Sequence, residues 1–183
     1  MDAKDFTPDT TKSLKNLAAY TALFKNDLKH MHVHVIGERF QEMHELLQSY
    51  YERAADDEDF FLEQAIIANE GPANPTLALS NIDTPWKPET KDGYSYEEFL
   101  KTLWRKSWRY IELLYLLDDY GRVVDSRVDE MLTYWTTEIE YKLAAQMATS
   151  IQGFDPEAEF DPDSEPDEQT LGGMFKENYK GKK

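Results

Sequence analysis

Leu14, Leu17, Phe24, Leu28, Met31 and Val35, with Thr21 in register, recur at steps of three and four. Only a helix gathers such positions on one face, and the run is long enough for about seven turns. Asp9 or Thr10 can cap its start, and Gly37 is a natural stop. The same periodicity returns three times. A second run carries Phe40, Met43, Leu47, Tyr51, Ala54, Leu62 and Ile66 and ends before NEGPANP, whose glycine and prolines break a helix. A third carries Phe99, Leu100, Leu103, Trp104, Ile111, Leu114 and Leu117, opened by a capping box of Ser95 and Glu98. A fourth runs from Asp125 or Ser126 to Ser150 and carries Val128, Met131, Leu132, Trp135, Ile139 and Leu143. Residues 69–94, rich in Pro, Asn, Gly and Asp, link the second run to the third. The expectation is an all-α four-helix bundle with one long crossover between helices 2 and 3, over residues 11–152, behind an N-terminal arm of residues 1–10.

Ferritin-like folds have this connectivity. From residue 153 the composition changes: FDPEAEFDPDSEPDE contains eight acids, three prolines and no base. Such a stretch cannot bury enough apolar surface to fold alone. Residues 153–183 therefore read as a disordered acidic linker and tail. Its end, LGGMFKENYKGKK, brings back Leu171, Met174, Phe175 and Tyr179 beside four lysines. That end reads either as a solvated tail or as a docking peptide for a protein partner within residues 170–183.

The net charge is −16, from 36 acids and 20 bases, which opposes nucleic-acid binding. Lys4 and Lys12 stand among Asp2, Asp5 and Asp9, a poor arm for DNA, so nucleic-acid binding is expected to be weak or absent. No apolar run is long enough for a membrane span, and MDAKDFTPDT has no apolar core, so neither a membrane segment nor a signal peptide is expected. The chain has no cysteine. That fits a cytoplasmic protein, and it restricts any metal to nitrogen and oxygen ligands.

All four histidines lie in HMHVHVIGERFQEMH, residues 30–44. His44 falls in the stripe of the second helix and His32 borders that of the first. Asp59 and Glu63, four apart, share a helix face. Each has a plainer reading alone. A histidine near a core is usually hydrogen-bonded, His30 and His34 suit solvent or an interface as well as an ion, and the DDED run around Asp59 reads as a solvated face. Asp59 lies fifteen residues beyond His44, about 22 Å along a helix. If these residues share a metal, two copies of the chain must supply the halves.

The spacing of His32, Val35, Gly37, Phe40, His44, Glu45, Asp59 and Glu63 resembles the Dps family, ferritin-like proteins named for DNA protection in starved cells. The resemblance is specific over residues 20–66 and architectural over 95–150. It implies a ferroxidase and iron-storage protein: twelve chains built on twofold dimers enclose a hollow shell and protect against oxidative damage. It implies His32 and His44 as catalytic metal ligands from one chain and Asp59 and Glu63 from its twofold mate. Imidazole and carboxylate suit ferrous and ferric iron, and also admit zinc or manganese. Two positions depart from the family pattern: Val33 stands where tryptophan is frequent, and Gln48 where aspartate is usual. Asp119, Asp125 and Asp129 sit where family members place pore acids, though helix caps explain them equally. The departures and the tail motivate an alternative: a structural or interaction protein with a degenerate metal site, docked to a larger assembly such as a shell or virus particle.

Overall fold

The structure, a computed structural model, describes residues 13–70, 86–115, 117 and 122–154. Helix α1 spans Leu14–His34, α2 Phe40–Ile67 and α3 Tyr96–Tyr115. The fourth helical run has three parts in succession: α4, Arg122–Thr136; a π-helical stretch, Thr137–Leu143; and α5, Ala144–Ser150. The expected four-helix bundle with its crossover after α2 is the observed fold, and no strand occurs among the described residues.

Helix α1 buries six of the seven positions that define its periodicity, and Val35, just past its end, is buried as well. Its proposed caps, Asp9 and Thr10, lie outside the described residues. The first turn is capped instead from across the chain. Glu70, beyond the end of α2, accepts hydrogen bonds from Leu14 N (3.1 Å), Lys15 N (3.2 Å) and the Ser13 hydroxyl (2.8 Å). Glu70 is placed there by a Schellman-type ending of α2, with Asn69 at φ +57° and bonds from Glu70 N to Ala65 O and from Asn69 N to Ile66 O.

The α1–α2 connection turns at Gly37, whose φ of +104° is costly for any residue with a Cβ. The end of the crossover packs against the same corner. Val35 and Tyr94 form a parallel bridge, and Asp27, buried on α1, accepts hydrogen bonds from Trp86 Nε1 (2.7 Å) and Glu89 N (2.8 Å). Ser95 and Glu98 meet as the capping box predicts, with Ser95 N donating to Glu98 at 3.1 Å.

Two expectations for α2 need correction. Its buried face is Met43, Leu47, Tyr50, Ala54, Phe61 and Ala65, whereas Phe40 is 45% and Ile66 65% exposed. The apolar residues of α2 thus fall on two faces, and a single stripe merges them. Nor is the DDED run a solvated face. Asp57 and Glu58 are buried, and only Asp56 and Asp59 are exposed. Asp57 sits at the bundle centre, accepting from Trp135 Nε1 (2.8 Å) and Tyr110 OH (3.3 Å) beside Arg53 (3.1 Å). Phe24 stacks on Tyr110 at 4.5 Å and meets the Trp135 edge at 5.1 Å.

The fourth helical run opens at Arg122, before the expected Asp125 or Ser126. Its π-helical stretch answers a pattern in the sequence. Met131, Trp135, Ile139, Leu143 and Met147 are all buried, at unbroken steps of four. In a regular α-helix each such step drifts by about 40°. A wider turn offsets that drift and keeps the residues on the core.

Candidate metal centre

His32 closes α1 and His44 opens the second turn of α2, so the Gly37 turn folds one onto the other. Their rings stack with centroids 3.5 Å apart. His32 Nδ1 donates to the backbone carbonyl of His44 at 3.0 Å, and His44 Nδ1 donates to the carbonyl of His32 at 3.0 Å. A carbonyl can only accept, so each Nδ1 carries the proton and each Nε2 keeps its lone pair. Neither Nε2 has a hydrogen-bond partner among the described residues. Metal-ligating histidines are oriented in this way, by donating the distal ring N–H to a carbonyl or carboxylate.

Burial lowers the His32 pKa below its ordinary value of 6.5, its hydrogen bond to His44 opposes that shift, and the His44 ring adds to it. Tyr51 stands edge-on to His32 at 5.2 Å, and Phe40 stacks on His44 at 5.1 Å. The pair is half-buried and walled by aromatic rings.

Asp59 and Glu63 are exposed on α2 and have neither a hydrogen bond nor an ion pair among the described residues. Within one chain the structure does not bring them to the histidines. Among the described residues no three histidine, aspartate or glutamate side chains form a group able to hold a metal. Asp59 lies fifteen positions beyond His44 along continuous α-helix, as the spacing requires.

His30 and His34 do other work. Their rings stack at 4.1 Å; His30 Nε2 donates to Lys91 O at 3.0 Å, and His34 Nδ1 donates to His30 O at 2.8 Å. With His34 Nε2 at 3.8 Å from Asp92, the pair holds the end of the crossover against α1. Of the candidate pore acids, Asp125 and Asp129 are exposed on α4, and Asp119 lies outside the described residues. Gln48, at the departure from the family pattern, donates its amide to Glu52 at 2.9 Å. Sequence reasoning placed Tyr51 only in the apolar stripe of α2 and missed its ring contact with His32; the signal for the Gln48–Glu52 bond was their four-residue spacing on one helix face.

Comparison with solved structures identifies the fold. Antigen TpF1 of Treponema pallidum superposes with a TM-score of 0.64 at 21% identity, over 80% of this chain and 96% of that one. CAIP of Helicobacter cinaedi gives 0.63 at 23% identity, over 76% and 99%. These likenesses establish the fold, a ferritin-like helical bundle. A Dps mutant of Listeria innocua shares it, with a TM-score of 0.56 at 18% identity over 76% of this chain and 92% of that one. No family model matches the chain. No curated protein matches it in sequence.

Among the described residues no helix is long and apolar enough to cross a membrane.

Proposed function

We propose that the chain is a Dps-like ferroxidase and iron-storage protein. Iron is its substrate and cargo, and His32 and His44 of one chain bind it together with Asp59 and Glu63 of a twofold mate. The observation that carries this reading is the reciprocal hydrogen bonding of the histidine pair, which leaves both Nε2 lone pairs uncommitted. The carboxylates of Asp59 and Glu63, unpaired among the described residues, offer the complementary ligands.

The surface of α2 supports the pairing. At about 100° per residue, Phe40, His44, Gln48, Asp59, Glu63 and Ile66 fall within an arc of about 140°. Apolar side chains are exposed near both axial ends of that face: Phe40 with Val33 (60%) of α1 and Ile36 (57%) of the turn by the histidines, and Ile66 by the carboxylates. A twofold contact is self-complementary, so an antiparallel α2 pair covers each end with the other. Setting His44 opposite the partner's Asp59 puts the dyad between Tyr51 and Glu52. Twelve chains in a hollow shell, acting in the cytoplasm with weak or no nucleic-acid binding, complete the proposal.

Two ferrous ions give one electron each to a peroxide molecule, which takes up two protons and leaves as two waters. The chain's contribution is electrostatic and positional. Burial lowers the pKa of His32 and so favours the neutral ring that presents a lone pair. The carboxylates then offset the charge gained as ferrous iron becomes ferric. The same donors accept zinc or manganese, and elemental analysis of purified protein identifies the resident metal. Ferrous iron and peroxide added to wild type should give ferric absorbance at least about tenfold faster than in a His32→Ala, His44→Ala double variant. Equal rates in the two proteins would remove the ferroxidase reading.

A further inference from the structure

We propose that pairing along α2 is gated by charge: metal-free chains repel one another across this face, and the metal held at the shared centre brings them together. This rests on the functional reading above and adds to it how assembly is regulated.

The outermost ridge of α2 is made of acids. Glu45, Glu52, Asp56, Asp59 and Glu63 are all exposed, and none has an ion pair among the described residues. Glu45 and Glu52 accept only amide hydrogen bonds, from Gln41 and Gln48, at 2.9 Å each. At about 100° per residue the five acids fall within an arc of about 60°, opposite the buried Met43, Ala54 and Phe61. Helix α2 contains no lysine, and its one arginine, Arg53, turns to Asp57 (3.1 Å) and Glu130 (3.5 Å) and not to the ridge. Helix α3, by contrast, sets Lys101, Arg105, Lys106 and Arg109 among its acids. The helix that carries the candidate ligands is thus the one whose exposed charges have a single sign.

A twofold axis across an antiparallel pair carries one side of a helix onto the same side of its mate. The two ridges therefore meet along one edge of the contact, five carboxylates from each chain, with no lysine of α2 to divide them. At about 10 mM salt the Debye length is about 30 Å, so the two rows repel almost unscreened. Phe40 and Ile66 favour contact only at its ends.

A divalent cation reverses the balance. Asp59 and Glu63 belong to the ridge, and the free Nε2 lone pairs of His32 and His44 open at the end of α2 that an antiparallel mate brings to them. Each shared centre then sets two positive charges among the carboxylates, at two symmetric points. Because the centre is complete only in the pair, metal binds paired chains in preference to single ones and drives association by mass action. Arrival of the metal is thereby the signal to assemble.

Sedimentation equilibrium of the full-length chain at low ionic strength, in EDTA and in cobalt(II), an air-stable stand-in for ferrous iron, measures the gate. The chain has no cysteine, so a single Ser49→Cys on the exposed face of α2 carries one spin label, and coupling between labels reports this contact. Cobalt should tighten pairing at least about tenfold. In EDTA, a Glu45→Gln, Glu52→Gln, Asp56→Asn chain, which keeps all four ligands and should keep the helical content of wild type, should pair at least about tenfold more tightly than wild type. Added sodium chloride should narrow that difference by screening. If the neutralised chain and wild type pair equally in EDTA at low salt while His44→Ala loses cobalt binding, the charge gate is overturned and the functional reading stands. If wild type and His44→Ala bind cobalt equally by calorimetry, the functional reading falls, and this inference with it.

Discussion

Asp57 and Asp59 stand two positions apart on α2 and face opposite ways, the first into the bundle centre and the second to solvent. Burial raises the pKa of Asp57, and the hydrogen bond from Trp135 and the charge of Arg53 oppose that shift. Glu112 on α3 has less help. It is 6% exposed, and burial raises its pKa to about 8 against the modest pull of Arg109. Below pH 4.5 the folded and unfolded chains both carry this proton. Between 4.5 and about 8 the unfolded chain releases it while the folded chain keeps it, so this group lowers stability as pH rises. Glu112→Gln removes that slope. Urea unfolding at pH 8 should find the variant more stable than wild type by about 1–3 kcal/mol, with the difference vanishing below the ordinary glutamate pKa. An unchanged slope would mean that Glu112 is ionised in the folded chain at neutral pH.

At the scale of the helix, α1 and α2 are tied at both ends. The Gly37 turn joins them at the histidines, and Glu70 caps the first turn of α1 at the other end. Glu70→Ala should cost about 0.5–2 kcal/mol, with amide exchange accelerated first at Leu14 and Lys15. Uniform acceleration along α1 would contradict the capping role. The helices themselves were legible in the sequence, because the large apolar residues of α1 and α3 recur at helical spacing and are buried, although both helices also bury consecutive runs, residues 17–22 and 110–114. The two apolar faces of α2 were not separable, because Phe40 and Ile66 differ from core residues only in what they touch. The cap by Glu70 was hidden too, since nothing local in the sequence joins residues more than fifty positions apart. The π-helical stretch left a signal in the unbroken four-residue steps from Met131 to Met147, which a fixed helical period overlooks.

For the whole molecule, the proposed site was half-legible. His32 and His44, which the family resemblance assigns to one chain, lie ring to ring across the Gly37 turn. Their mutual hydrogen bonds belong to folded geometry and have no sequence signature. The fifteen-residue gap to Asp59 also carried information, since a straight helix of that length forbids a one-chain site. Whether two chains share each centre is therefore the decisive question. Mixing decides it most directly: a His32→Ala, His44→Ala chain co-assembled with an Asp59→Asn, Glu63→Gln chain, each inactive alone. Random twofold pairing should rebuild about a quarter of the wild-type sites and recover a matching fraction of ferrous iron oxidation. Recovery no greater than the sum of the separate variants, in assemblies proven to be mixed, would contradict it.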